Sequence, residues 1–228
     1  MREIPSTPPP ILQPRLRRAS LWLESGHRSQ ALPVLTKSAV HLADTGLKLK
    51  AGLATVRCAM TSDNRDAALA ALRWLNREFP ASPEVLYVST HAYSDLSTRA
   101  AQDLARTAPD THQAHELNAE ALEIQGKWDQ AQEEYEAALK QNPEVPGIHF
   151  RLGRLLLSKP NPGPDVAEQA KKEFKEELKI DPRNAGAEYV LGELARENQQ
   201  WDDAVQHFSR APKLDASFGD AYLGLVNL

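Results

Sequence analysis

The chain has 228 residues, 41% of them hydrophobic, a size that suits one domain or a short array of small repeated units. Its 27 basic and 31 acidic residues leave a net charge of −4, without the positive excess typical of nucleic-acid-binding proteins. The single cysteine, Cys58, excludes an intramolecular disulfide, and the apolar runs are far shorter than the roughly 20 residues that span a membrane. We therefore expect no nucleic-acid partner and no membrane span.

Residues 1–11 are the first segment in chain order, and they are rich in proline. A secretory signal would carry an apolar stretch here, and this segment has none. We predict a disordered, proline-rich tail. The sequence does not define the compartment, but the missing signal peptide favours the cytoplasm.

Four prolines recur along the rest of the chain at spacings of 29, 34 and 39 residues, a mean of 34. Proline cannot continue a helix interior, so a regular spacing marks the same break between helices in successive copies of one unit. The segments between are rich in Ala, Leu, Glu, Gln and Lys, with apolar residues three and four apart, which indicates helices and no strands. The four prolines are Pro80, Pro109, Pro143 and Pro182.

Each repeat also has a small residue in its first helix and an aromatic residue in its second, at matching offsets. A short side chain lets two helix backbones approach closely, as the two helices of a hairpin must. The small residues are Ala119, Gly153 and Gly192, and the aromatic residues are Tyr135, Phe174 and Phe208.

This pattern resembles the tetratricopeptide repeat, a helix-turn-helix unit of 34 residues. The resemblance implies an all-α fold, an α-α superhelix formed as a right-handed solenoid of helix-turn-helix repeats. It is most specific from His112 to Leu228. With the recurring proline at position 32, we predict about six repeats and the start of a seventh, at 12–45, 46–82, 83–111, 112–145, 146–184, 185–218 and 219–228.

The predicted repeats depart from the family pattern at several places, among them Pro33, where we expect a bend. The third repeat is five residues short and has Ser97 where the family has alanine. In the fifth, Lys159 to Pro164 adds five residues between the helices, where we expect a stiff surface loop. Glu177 occupies a position where the family has a small residue, and Pro212 predicts an early end to its helix.

Candidate catalytic and metal sites find no support in the sequence. His115 and Glu116 begin like a zinc-protease helix, but Ala119 stands where the second histidine is required. His115 and His149 share one repeat position, so we expect both to be packing residues. The chain contains no nucleophile elbow and no phosphate-binding loop. We therefore predict no enzymatic activity, no metal site and no cofactor.

The resemblance implies a different use, because the first helices of tetratricopeptide repeats line a concave face that binds peptides. We predict a non-catalytic scaffold that binds a peptide or helical segment of a partner protein in this groove. Three glutamates on one helix face are expected to meet basic side chains of that segment, with aromatic residues as apolar anchors. The predicted partner-binding residues are Tyr87, His91, Glu116, Glu120, Glu123, Phe150, Arg154, Tyr189 and Glu193.

Residues Gly219 to Leu228 match the opening of a further repeat. Because a stacked array must cover its last apolar face, we expect either a fragment of a longer protein or self-association through the C-terminal face. Two alternative functions stay open. One is a structural or assembly factor of a bacterial envelope or secretion complex, and the other is the repeat region of a larger protein whose enzymatic part is missing.

Overall fold

A computed structural model of the chain describes residues 18–19, 21–22, 25–160 and 163–228. The described residues form helices and turns without a β-strand, and none of their helices is long and apolar enough to cross a bilayer. The predicted tail, residues 1–11, lies outside the described residues. The helices are α1 Arg28–Ala39, α2 Thr45–Thr61, α3 Arg65–Glu78, α4 Pro83–Thr107, α5 His112–Ile124, α6 Trp128–Gln141, α7 Ile148–Ser158, α8 Val166–Ile180, α9 Ala185–Glu197, α10 Trp201–Leu214 and α11 Asp220–Val226.

The chain forms two compact units, residues 1–100 and 101–228, which we call the first unit and the second unit. In the second unit, α5 pairs with α6, α7 with α8 and α9 with α10, and each pair packs on the next. Contact between neighbouring hairpins is the arrangement expected of stacked repeats. The predicted all-α fold of helix-turn-helix repeats is confirmed.

The same type of contact closes two of the three hairpins of the second unit, α7–α8 and α9–α10. The rings of Phe174 and Phe208 are fully buried against the glycines of the preceding helix. A Cβ atom on Gly153 would lie 2.8 Å from Phe174 Cζ, and one on Gly192 would lie 2.7 Å from Phe208 Cδ1. Glycine is therefore required at these two positions, because a methyl group would push the ring away.

The hairpin turns of the second, fourth and sixth repeats share one backbone geometry. A residue in the left-handed region ends the first helix, and the next amide donates to the carbonyl five residues earlier, as in a Schellman motif. In the fourth repeat Gly126 has a φ of 71°, and Lys127 N donates to Leu122 O at 2.9 Å. In the sixth, Gln199 has a φ of 59° where glycine is the usual residue.

Glu177 has a structural role that explains its departure from the family pattern. It is fully buried, and its carboxylate accepts hydrogen bonds from Gly147 N at 2.8 Å and from Phe150 N at 3.2 Å. Asn184 Nδ2 donates to the same carboxylate at 3.2 Å. Helix α7 has no side-chain cap from its own N-cap residue, so Glu177 of α8 satisfies its first amides.

The third repeat differs from the expected hairpin. Residues Pro83–Thr107 form one continuous helix of 25 residues, α4. No glycine or proline interrupts it after Pro83, and a repeat five residues short leaves no room for a turn. Its buried residues, Val85, Ser89 and Ala92, all lie in its first half.

The first unit packs α4 onto the α2–α3 hairpin. Val85 and Ala92 share a buried apolar cluster with residues of α2 and α3, among them Leu72. Two polar contacts reinforce the packing. Arg99 Nη1 lies 2.7 Å from Asp63 Oδ1, and Asn76 Nδ2 donates to Ser89 Oγ at 2.8 Å. Helix α4 is thus held by contacts at both ends of the α2–α3 hairpin.

Two further departures have different outcomes. Helix α7 ends at Ser158 and α8 begins at Val166, so seven residues separate these helices where three separate α5 from α6, and the extra residues lie between the helices as predicted. The prediction that this helix ends early at Pro212 is wrong. Helix α10 continues to Leu214, the same repeat position at which α6 ends, because a proline near the C-terminus removes one hydrogen bond and leaves the preceding turns intact.

We predict that Glu177→Ala lowers the free energy of unfolding by about 2 to 3 kcal/mol, because it leaves buried amides without an acceptor. Alanine fits the site, since Ala138 and Ala211 occupy the same repeat position. Urea denaturation followed by circular dichroism measures the loss. Glu176→Ala, a change at a half-buried surface residue, is the matched control. Equal stability of the two variants would contradict the capping role.

Candidate functional site

The predicted acidic face of the second unit exists, and the chain itself supplies a basic side chain to it. Arg151 of α7 reaches back to α5, where its Nη1 lies 2.7 Å from Glu120 Oε1 and its Nε lies 3.4 Å from Glu116 Oε1. Glu123, one turn further along α5, accepts a hydrogen bond from the Tyr135 hydroxyl at 2.7 Å. We call these three glutamates with Arg151 the acidic cluster.

The electrostatics of the acidic cluster follow from these contacts. Burial and the neighbouring Glu123 carboxylate raise the pKa of the Tyr135 hydroxyl. Partial burial alone would lower the pKa of Arg151, but the nearby Glu120, Tyr135 and Glu116 raise it. Arg151 is therefore a permanent cation, and the tyrosine stays neutral as a hydrogen-bond donor.

The acidic cluster is open to solvent. The exposed fractions of its side chains are 27% for Glu116, 34% for Glu120 and 42% for Arg151. The cluster has three carboxylates and one guanidinium, which leaves two of its negative charges uncompensated. An exposed ion pair contributes at most about 1 kcal/mol, so a competing cation can displace Arg151 at small cost.

The aromatic residues predicted as anchors also pack between helices. Phe150 contacts Phe174 with ring centroids 5.7 Å apart, and the Arg154 guanidinium carbon lies 5.9 Å from the Phe150 ring centroid. Tyr189 lies 5.9 Å from Phe208. Both anchors are only half-buried, so each keeps an accessible edge. They combine a packing contact with a surface that a ligand can touch.

Glu193 is the remaining predicted residue of the second unit, and it pairs with Arg196, whose Nη2 lies 2.7 Å from Glu193 Oε2. The two residues are three apart on α9. Glu193 also raises the pKa of Arg196, through their hydrogen bond and their opposite charges. Glu193 is thus partly neutralised on its own helix, and it offers a ligand less negative charge than the acidic cluster does.

Two predicted residues, Tyr87 and His91, belong to the first unit. They lie on α4 with ring centroids 4.4 Å apart, and Tyr87 is 67% exposed. Together with Met60 and Arg57 of α2 they line a groove of about 370 Å³. A tyrosine held edge-on against a histidine is a rigid apolar surface of the kind that anchors peptides.

Sequence reasoning missed a polar pair that recurs inside each of three repeats. His115 Nδ1 lies 2.7 Å from Glu134 Oε2, and His149 Nδ1 lies 2.6 Å from Glu173 Oε2. In the sixth repeat the two residue types exchange helices, so Glu188 of α9 meets His207 of α10. A comparison of repeat positions 4 and 23 contains this signal. His115 and His149 pack within their repeats as expected, and each of the three histidines also joins the two helices of its hairpin.

The described residues contain no group of three or more His, Cys, Asp or Glu side chains that could hold a metal ion. The His–Glu pairs therefore stand as separate contacts between helices.

Charge divides unevenly along the chain: residues 1–100 have 13 basic and 8 acidic residues, and residues 101–228 have 14 basic and 23 acidic residues. The second unit is thus acidic beyond its cluster, and the first is basic.

We predict that Tyr135→Phe lowers the free energy of unfolding by about 1 kcal/mol at neutral pH, because Glu123 loses its donor. The raised pKa of Tyr135 adds a pH dependence. An unfolded tyrosine ionises near pH 10, so the stabilisation is complete below about pH 10 and is lost as the pH rises above it. Urea denaturation at increasing pH should show a steeper loss in the wild type than in Tyr135→Phe. Parallel losses would contradict this.

Comparison with known proteins identifies the repeats. The tetratricopeptide-repeat family model matches residues 118–163 and 165–217. The solved structures that resemble this chain include the Arabidopsis OM64 TPR domain, at 18% identity and a TM-score of 0.45, over 51% of this chain and 92% of that one. They also include MamA, at 16% identity and a TM-score of 0.47, over 70% of this chain and 93% of that one.

A comparison with curated protein sequences found no match. The family match covers the hairpins in which Phe174 and Phe208 close on glycines, the contact that the repeat pattern predicts. Residues 118–163 and 165–217 of the chain thus match the tetratricopeptide-repeat family.

Proposed function

We propose that this chain is a non-catalytic scaffold that binds an extended or helical segment of a partner protein on the faces of its first helices. Tetratricopeptide repeats support a role in protein–protein interaction in general. The solvent-exposed acidic cluster supports the choice of a basic segment as the ligand. It combines uncompensated negative charge with the half-buried rings of Phe150 and Tyr189 nearby in the repeat array. The ligand chemistry that fits is a basic side chain next to an apolar one.

The geometry of Arg151 indicates how such a ligand binds. Arg151 already occupies the position that a ligand cation needs, between Glu116 and Glu120. An incoming lysine or arginine either replaces Arg151 or uses the oxygen atoms that it leaves free. In both cases Arg151 competes with the ligand for the same carboxylates, so its removal and the removal of the glutamates have opposite effects.

We predict that Glu116→Gln with Glu120→Gln weakens binding of a dye-labelled lysine- and leucine-containing peptide roughly fivefold to tenfold, because the carboxylates are lost. Arg151→Gln is expected to strengthen it, because the internal competitor is lost. Fluorescence anisotropy measures the affinities. Glu123 is left unchanged, since it holds the Tyr135 hydroxyl.

Matched controls separate the site from the overall charge. Glu133→Gln with Glu144→Gln removes two negative charges from exposed positions and is the control for the glutamate variant. Arg183→Gln removes one positive charge from an exposed position and is the control for Arg151→Gln. Both controls should leave the affinity within about twofold of the wild type, and an acidic version of the peptide should not bind at the acidic cluster. Weaker binding of the basic peptide to Arg151→Gln would refute competition by Arg151, and unchanged binding to the glutamate variant would refute the site.

A second candidate function is self-association through the C-terminal face, and the exposure of α11 favours it. Leu223 is 61% exposed and Val226 is 82% exposed, in a helix whose other side packs on Phe208 through Gly224. Exposed apolar side chains grouped on one helix are typical of an interaction surface.

Leu223→Ser with Val226→Ser tests this candidate by sedimentation velocity over a range of concentrations. The wild type is expected to sediment faster as the concentration rises, because each copy buries these side chains in another, and the variant is expected to remain monomeric. Leu86→Ser, a change at an exposed leucine of the first unit, is the control. A wild type that stays monomeric over the whole range would exclude self-association.

A further inference from the structure

The second unit has a recess of about 420 Å³ where the end of α8 meets α10. Most of its lining comes from these two helices, which are the second helices of their hairpins. The acidic cluster lies on the first helices α5 and α7, so the recess is a separate surface. Its lining residues, which define what we call the basic recess, are Leu178, Pro182, Glu188, Arg210, Lys213 and Leu214.

Part of the lining of the basic recess is apolar. Leu178 of α8 and Leu214 of α10 are half-buried, so each side chain packs against the unit and keeps an accessible part. Pro182, which is exposed, belongs to the same lining. An apolar side chain of a ligand can leave water by packing on this surface.

Two exposed cations of α10 complete the lining. Arg210 and Lys213 are three residues apart on this helix, and the Arg210 side chain is 50% exposed. Lys213 is exposed and forms no ion pair with any residue that the structure describes. Its ammonium group is therefore available to an anionic ligand.

The chain already compensates the one carboxylate in the lining. Glu188 is buried and pairs with His207, and Arg210 Nη1 lies 3.5 Å from its Oε1. That distance is at the long limit of a hydrogen bond, so the guanidinium keeps donors for a ligand. Asp181 and Asp215 adjoin lining residues in sequence, but each accepts a hydrogen bond from the amide two residues later.

The other two hairpins of the second unit lack this pair of cations. In the fifth repeat the equivalent positions hold Glu176 and Lys179, which pair at 2.6 Å. In the fourth repeat they hold Ala137 and Lys140. Opposite charges three apart neutralise each other on a helix, whereas the two cations of the sixth repeat cannot. The basic recess is thus specific to one hairpin and is not part of the repeat pattern.

We propose that the basic recess binds an acidic segment of a partner protein. A carboxylate of the segment pairs with Arg210 and Lys213, and a neighbouring leucine-sized side chain packs on Leu178 and Leu214. Because acidic residues outnumber basic ones in residues 101–228, the rest of this unit repels such a segment and directs it to the recess.

The probe for this site is a dye-labelled seven-residue peptide with a central leucine between glutamates, and fluorescence anisotropy measures its binding to the full chain. Lys213→Gln removes the unpaired cation and is expected to weaken binding about fivefold. Lys213→Glu is expected to weaken it about tenfold or more, because the new carboxylate repels the probe and pairs with Arg210. A probe with serine at its centre should bind about fivefold more weakly, because it buries less apolar area.

Controls assign the effect to the recess. Lys140→Gln makes the same change at the same position of the fourth repeat and should leave the affinity within about twofold of the wild type. The amide NMR resonances of Lys213 and Leu214 should shift during the titration. Glu116→Gln with Glu120→Gln should not weaken binding of this probe, so the recess and the acidic cluster are tested independently.

Several results would overturn the proposal. They are equal binding by both Lys213 variants and the wild type, equal weakening by Lys140→Gln, and equal binding of the serine probe. No binding of the leucine probe up to about 1 mM would also overturn it. If Lys213→Glu then abolished self-association of the chain, the occupant of the recess would be a second copy.

Discussion

The close approach of an aromatic ring to a glycine closes two of the three hairpins of the second unit, and Tyr135 with Ala119 takes the same repeat positions in the third. Phe208 shows how much depends on one ring, because it contacts Gly192 of the preceding helix and Gly224 of the following one. Cβ atoms on these glycines would lie 2.7 and 2.9 Å from the ring, closer than packed atoms come. One side chain thus closes its own hairpin and joins it to the next helix, so each repeat completes its core with its neighbour.

The sequence predicts a structural feature best when the residues that determine this feature lie within one repeat. The hairpins of the second unit were predictable, because proline spacing and the offsets of small and aromatic residues all act within one repeat. The continuous helix α4 was not predictable from the sequence, because the only local sign of it is the lack of a turn-forming residue around Ser97. Glu177 and Arg151 were unpredictable for another reason. Each acts on a helix other than its own, and a pattern within one helix does not encode that distance.

Arg151 links the proposed partner binding to the packing of the repeats. It lies on α7 and pairs with Glu116 and Glu120 of α5, so the same contact joins two hairpins and neutralises part of the proposed binding face. The sequence pattern of α5 groups its three glutamates, but a face drawn from one helix omits the cation that the next hairpin supplies. In the proposed function, a ligand that displaces Arg151 loosens a contact between repeats while it forms its own.

The acidic cluster and the groove beside Tyr87 rely on different physics in the proposed function. Salt screens the cluster, because its attraction for a cation comes from exposed charges such as Glu120. The attraction of the groove for an apolar side chain persists in salt, because removal of such a side chain from water depends on the area buried and not on charge. As proposed sites, the cluster discriminates ligands chiefly by charge, and the groove chiefly by the shape and size of one side chain.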